Sequence, residues 1–361
     1  MVGSGFAGSV VAERLATTLK KRVIVIDKRD HIGGNAYDYY DDHGILIHKY
    51  GPHIFHTNSE HVIEYLSQFT KWHNYQHRAL TCVDGRLLPF PVNIDTINKL
   101  YGLSLNSHSV RRFIKKRVIP CTNILTSEDF IVSQVGRELY EKFYRGYTLK
   151  QWGMEAGMLD ASVASRVPIR FSHDDRYFTD RFQAVPKSGY AKLFANMLDH
   201  PLIEVWTGID YRDISDEFLP KLIVYTGSID EFFKFKYGRL PYRSLLFRHE
   251  LHECEFYQSV AVVNYPNEHA YTRITEFKHI TGQLSNKTSI LFEYPTNSGD
   301  PYYPIPRPEN ISVYRRYRDL ALSRPDVIFL GRLGSYKYYN MDQVVAQALM
   351  IAEKIIDSFT I

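Results

Sequence analysis

The first residues already offer chemistry. Val2-Gly3-Ser4-Gly5-Phe6-Ala7-Gly8 spells a G-x-G-x-x-G loop, and about 20 residues later the β-branched run Val23-Ile24-Val25-Ile26 ends in Asp27. Between them, Val10, Val11, Leu15 and Leu19 share one helical face. A glycine loop that opens a helix, framed by a strand and an acid, suits a dinucleotide. Its bare backbone lets a pyrophosphate approach the helix N-terminus, whose free N–H groups and dipole favour an anion, while Asp27 accepts hydrogen bonds from a ribose. The alternative is a glycine turn in an α/β domain that binds nothing.

A second set of residues suits phosphate and sugar. The chain has 27 tyrosines, several in clusters: Tyr177-Phe178, Tyr302-Tyr303 and Tyr336-Lys337-Tyr338-Tyr339. Single tyrosines usually pack half-buried, but clusters beside Pro, Gly and Arg suit a wet pocket that stacks a base and hydrogen-bonds hydroxyls. Arg166 and Arg170 bracket Pro168, and Arg273 follows Tyr271-Thr272. Guanidinium forks match phosphate oxygens, which makes a nucleoside diphosphate ligand plausible. Taken singly, each arginine reads as a surface or salt-bridge residue. His53 and His56 are three apart, yet no Cys, Asp or Glu cluster completes a metal site, so no metal is expected.

The elements that position these residues follow from pattern. The 361 residues suffice for two or three domains, and 44% hydrophobic content supports large cores. The net charge of +4 is spread thinly apart from Arg111-Arg112 and Lys115-Lys116-Arg117, which read as a solvated helix face rather than a nucleic-acid footprint. Three widely spaced cysteines fit a reducing cytoplasm. No apolar run reaches about 18 residues, and no signal peptide is evident. Only Met1-Val2 precede Gly3, so a few residues of first strand are expected to be missing. Thr57-Asn58-Ser59-Glu60 resembles a capping box ahead of Val62, Leu66 and Phe69. Phe130, Ile131, Val135, Leu139 and Phe143 suggest one helical face from 127 to 144, whereas 259–264, 271–277 and 289–294 read as antiparallel strands. Val327 to Leu330 is a buried strand, and a helix starts at Met341.

Beyond these patterns, Gly33-Gly34 just past Asp27 resembles the turn of glutathione-reductase-type flavoproteins and points to FAD. Longer stretches are more specific. His48 to Thr57, Arg145-Gly146-Tyr147-Thr148-Leu149-Lys150-Gln151-Trp152-Gly153, Asp300-Pro301-Tyr302-Tyr303-Pro304 and Gly331 to Asp342 all resemble bacterial UDP-galactopyranose mutases, over essentially the whole chain. The resemblance implies an α/β fold: a discontinuous FAD-binding Rossmann-like domain with a helical insertion domain and an antiparallel β-sheet domain. The expected bounds are 1–78 with about 186–232 and 310–361 for the first. The helical domain is expected at about 79–180, with a mobile substrate loop at 153–178, and the sheet at about 233–309 with short flanking strands.

The function so implied is an isomerase interconverting UDP-galactopyranose and UDP-galactofuranose without net redox, in which N5 of reduced FAD attacks C1 and displaces UDP. The ring then opens and closes through another hydroxyl before UDP returns. Gly3, Gly5, Phe6, Gly8, Asp27, Lys28, Gly34, Asn35, His53, Ile54, Arg332 and the run Tyr339, Asn340, Met341, Asp342, Gln343 and Val344 match FAD-contacting positions. Arg332 stands where many related flavoproteins carry an acid. Arg166 and Arg273 match diphosphate-binding arginines, and Tyr303 and Tyr338 match diphosphate-binding tyrosines. Tyr147, Thr148 and Trp152 match the uridine- and sugar-facing helix, and Tyr177, Phe178 and Asn264 further UDP contacts. His77 falls where the family often has Asn. Arg166, Arg273 and His53 are the expected catalytic residues. The resemblance also implies an external reductant for the flavin and a homo-oligomer; the charge pattern and the lack of a long apolar run are the grounds for expecting neither nucleic acid nor membrane insertion. Competing readings are an amine-oxidase-type flavin oxidoreductase, a non-catalytic nucleotide-sugar-binding protein, and a mutase that also takes UDP-N-acetylgalactopyranose.

Overall fold

The computed structural model describes residues 1–165, 167–214 and 220–360, so Arg166 lies outside the described residues. The expected α/β class is present. Val23–Asp27 pairs in parallel with Ile203–Thr207, and Ile223–Tyr225 pairs in parallel with Val327–Phe329. Val2 joins the two halves, bridging Ile26 on one side and Tyr225 on the other. These strands read as continuous β-branched runs because helices cover the sheet, as parallel sheets require. Phe6–Leu19, Tyr190–Leu198 and Met341–Thr360 bring Val10, Phe194 and Val345 into one apolar core with Val25 and Val224.

A seven-stranded sheet forms the second layer. Its order is Tyr303–Pro304, Tyr242–His252, Thr288–Thr296, Arg273–Glu276, Val262–Asn264, Ala79–Val83, Arg86–Phe90. Only the pairing of Val262–Asn264 with Ala79–Val83 is parallel. The register sets Asn264 opposite Arg273 and Arg273 opposite Glu293. Directly opposed residues share a face, so three polar side chains far apart in sequence become neighbours. The expected helical start near residue 79 needs correction: residues 79–90 are a hairpin in this sheet, and the helices begin at Ile94. The turn is Asp84-Gly85, both at positive φ (51° and 71°), the Asp-Gly signal of a two-residue hairpin.

The helical region runs through Ile94–Tyr101, Ser107–Lys115, Ser127–Val135 and Arg137–Tyr140, then a π-helical turn into Gly146–Trp152. The single face expected from 127 to 144 is broken at Gly136, whose φ of +84° suits glycine and where a Cβ would lie 2.3 Å from the Arg117 carbonyl. Val110, Ile114, Ile131, Val135 and Leu139 still meet in one core. Arg111, Arg112, Lys115 and Lys116 are exposed and, among the described residues, form no ion pair. The expected cap at Thr57 is also displaced: Ser59 caps Glu60–Ser67 by accepting from the Val62 N–H, while the Thr57 hydroxyl donates to Asp342.

Candidate active site

The glycine loop meets the start of the long helix without a side-chain cap. Gly5 is the N-cap of Phe6–Leu19 and, lacking a side chain, offers no cap to the first-turn N–H groups, which stay open to an anion. The loop is also packed to contact. Gly3 has φ +101° and a Cβ there would lie 2.0 Å from Thr226 Oγ1; at Gly8 it would lie 2.0 Å from the Gly3 carbonyl oxygen. Gly8→Ala is therefore expected to cost about 1–3 kcal/mol in chemical denaturation and to lower dinucleotide content per chain. An unchanged midpoint with full dinucleotide content would show that the loop has room to spare.

One cleft gathers Gly3, Gly5, Phe6, Asp27, Lys28, Gly34, Asn35, His53, Arg332, Tyr339, Met341 and Val344. Asp27 is held rigidly: Oδ2 accepts from the Ser4 N–H (2.8 Å) and hydroxyl (2.6 Å), and Oδ1 from the Arg29 N–H (3.0 Å). Arg29 also donates to Asn35 Oδ1 and to Asp300, which pairs with Lys28 at 3.6 Å. Other expected cofactor positions support the wall. Ile54 is buried in an apolar cluster, and the Gln343 side chain accepts from the Asn340 N–H at the start of Met341–Thr360. Sequence reasoning missed Thr226-Gly227-Ser228 and Ile209, Asp210 and Tyr211, which also line the cleft. A Thr-Gly-Ser turn straight after the apolar run Ile223-Val224-Tyr225 was the available signal.

His53 borders this cleft and is neutral. Burial is the main cause, with the Gly51 carbonyl pulling the other way and the Arg332 cation adding to the effect; together they push its pKa down to about 4. The ring's Nδ1 lies 2.8 Å from the Gly51 carbonyl, so Nδ1 carries the proton and Nε2 is bare. His56 is placed elsewhere: its ring stacks on Phe178 at 3.7 Å and its Nδ1 lies 2.8 Å from Asp180 Oδ2.

The tyrosines and arginines converge beside the cleft. Arg332 lies over the rings of Tyr303 (5.3 Å) and Tyr338 (5.1 Å) and donates to the carbonyls of Tyr302 and Tyr339. Tyr303 and Tyr338 pack edge to face at 5.1 Å, and Trp152 lies 6.3 Å from each. Arg273 donates to the Tyr147 hydroxyl and pairs with Glu293 at 3.3 Å; it is 27% exposed, while Glu293 is 4% exposed. Burial would lower the Arg273 pKa, but Glu293 and the surrounding tyrosine hydroxyls outweigh it and hold the cation. Burial raises the Glu293 pKa, opposed by Arg273. His77 rings against Tyr177 (5.4 Å) and Phe178 (6.0 Å), and its carbonyl accepts from the Tyr177 N–H. Burial first, then Arg273 and His56, push the His77 pKa down to about 3. Asn264 is anchored to the Leu80 carbonyl. Thr148 shares the helix of Tyr147, but its hydroxyl makes no hydrogen bond among the described residues. Glu293 was the main omission: an acid inside Leu291-Phe292-Glu293-Tyr294 is unusual in a buried strand and marks a cation opposite.

A parallel α/β domain with a glycine loop at a helix N-terminus defines a dinucleotide-binding protein. Residues 1–69 match the NAD(P)-binding Rossmann-like domain. Residues 142–338, which carry the arginine and tyrosine cluster, match the family described as UDP-galactopyranose mutase, and the chain belongs to that family. It is 38% identical to a protein of Klebsiella pneumoniae described as a probable UDP-galactopyranose mutase, covering 99% of this chain and 94% of that one. It is 37% identical to the dTDP-fucopyranose mutase of Escherichia coli, covering 98% and 97%. The crystal structure of a reduced UDP-galactopyranose mutase superposes with a TM-score of 0.79 over 99% of this chain and 93% of that one, at 15% identity.

Proposed function

We propose that this chain interconverts UDP-galactopyranose and UDP-galactofuranose, with reduced FAD in the cleft that begins at Gly3. The observation that carries the reading is the pair of cations, Arg273 and Arg332, set among Tyr147, Tyr303, Tyr338 and Trp152 next to that cleft. Such an array fits a nucleoside diphosphate whose sugar reaches the cofactor. The FAD fit rests on three features: the uncapped helix end, the glycines that a Cβ would fill, and the acid at Asp27. When bound and reduced, FAD supplies the nucleophile N5 for C1 of the sugar. The chain's own residues do the rest. Arg273 and Arg332 hold the diphosphate while its bond to C1 is broken, so the nucleotide stays for the return step. Trp152, Tyr303 and Tyr338 wall off water. His77, unprotonated, offers a neutral polar contact without competing for the phosphates. Arg166, outside the described residues, is proposed as a third arginine on the diphosphate.

The identity to a dTDP-fucopyranose mutase makes the sugar nucleotide the first thing to test. Reduced enzyme assayed separately with UDP-galactopyranose and dTDP-fucopyranose is expected to show the higher kcat/KM with the UDP sugar. A higher value with dTDP-fucopyranose would reassign the substrate within the family. An amine-oxidase-type reading leaves the arginine and tyrosine cluster without a task.

The segment 153–178 is proposed as a lid over the nucleotide. Gly153, in the left-handed region, ends the helix that carries Trp152; Ala156 and Leu159 anchor the start of the segment in buried positions, and among the described residues of 160–178 none is buried. Few buried contacts mean a small local opening free energy, which a ligand can bias. Saturating UDP is expected to slow amide exchange across the lid and change Trp152 fluorescence. Identical exchange with and without UDP would reject the lid.

A further inference from the structure

The peptide of His53 is gripped from both ends by buried side chains that the cleft itself does not contain. The His53 N–H donates to His48 Nδ1 at 2.9 Å, and the Tyr190 hydroxyl donates to the His53 carbonyl at 3.1 Å. Tyr190 is in turn held at the first turn of Tyr190–Leu198: its N–H and that of Ala191 donate to Asp38 Oδ2 and Oδ1, at 2.6 and 2.7 Å. Asp38 and His48 are direct partners across the antiparallel pair Asp38–Tyr40 and Leu46–His48. One cross-strand pair thus reaches the same peptide by two routes, His48 directly and Asp38 through Tyr190. All three side chains are fully or almost fully buried, and Gly189 has no Cβ because one would lie 2.8 Å from Asp38 Oδ2.

We propose that Asp38, His48 and Tyr190 form a brace that fixes His53 in one orientation toward the cofactor, which makes them positioning residues for the redox form that the site selects. This rests on the FAD reading above. His53 borders the cleft with Nδ1 committed to the Gly51 carbonyl, so its remaining ring nitrogen, Nε2, is an acceptor. Reduction of a flavin adds an N–H donor, and an acceptor held without rotational freedom favours the form that carries it. Burial keeps the His48 ring unprotonated, its pKa pushed down to about 3, so Nδ1 stays available to accept.

The test compares the affinities of the full chain for oxidised and reduced FAD after removal and reconstitution of the flavin. Tyr190→Phe keeps the ring and removes only the hydroxyl; His48→Leu removes the acceptor; His48→Asn puts a carbonyl oxygen near the place of Nδ1. The first two are expected to lower the preference for reduced over oxidised FAD about tenfold, equivalent to about 30 mV in a two-electron midpoint potential, and His48→Asn to restore most of it. A residue that only packs would lower both affinities together. An unchanged preference in Tyr190→Phe and His48→Leu overturns the brace, as does a His48→Asn protein no better than His48→Leu. A wild-type chain that takes up no FAD overturns the proposed function instead.

Discussion

Arg273→Ala is expected to lower kcat/KM by about 30- to 5,000-fold, the equivalent of about 2–5 kcal/mol for truncating one member of a buried charge pair. The geometry explains the size. The guanidinium is fixed by the Tyr147 hydroxyl and Glu293, so it meets the diphosphate already oriented and pays little entropy on binding. Part of the loss has another origin, because the substitution leaves the Glu293 carboxylate buried beside no cation. Arg273→Lys separates the two effects. It keeps a charge for Glu293 but gives up the planar fork, so stability should recover more than turnover. Dinucleotide content should stay near wild type in both variants, since Arg273 lies outside the cofactor cleft. Near-native kinetics in Arg273→Ala would remove this residue from the diphosphate site.

The other large effect is on redox state. Fully oxidised protein is expected to give no turnover above background, and dithionite reduction should restore full activity. In the reduced ring N5 is an amine-type nitrogen and a nucleophile, whereas in the oxidised ring it is an electrophilic imine nitrogen. The N-terminus of Met341–Thr360 reaches the cleft through Met341 and Val344, and its dipole would favour negative charge on a group held there by up to about 2 kcal/mol. Equal rates for the two redox forms would remove the flavin from the chemistry.

Much of this was legible in the sequence wherever the determinants are local. The glycine loop, the strand ending at Asp27 and the helix from Met341 each announce themselves within about 20 residues, because close backbone approach and helical periodicity are short-range constraints. The arginine and tyrosine cluster was legible as residue types, and the structure brings Arg273, Tyr147, Tyr303, Tyr338, Trp152 and Arg332 into adjoining contacts. Strand register was not legible. That Asn264, Arg273 and Glu293 stand side by side depends on pairings between separate strands, which no local pattern specifies. The 79–90 hairpin was hidden by the helices that follow it, although Asp84-Gly85 carried the turn signal. The brace on His53 was invisible for the same reason: Tyr190 is 137 residues away from the carbonyl it holds.

The most direct test of the account is an anaerobic incubation of stoichiometrically reduced protein with UDP-galactofuranose, with chromatography of the sugar nucleotides and a flavin spectrum before and after. The account predicts a product of equal mass that co-elutes with UDP-galactopyranose, many turnovers per flavin, and a flavin still reduced at the end. No conversion, or flavin oxidised in proportion to product, would contradict it.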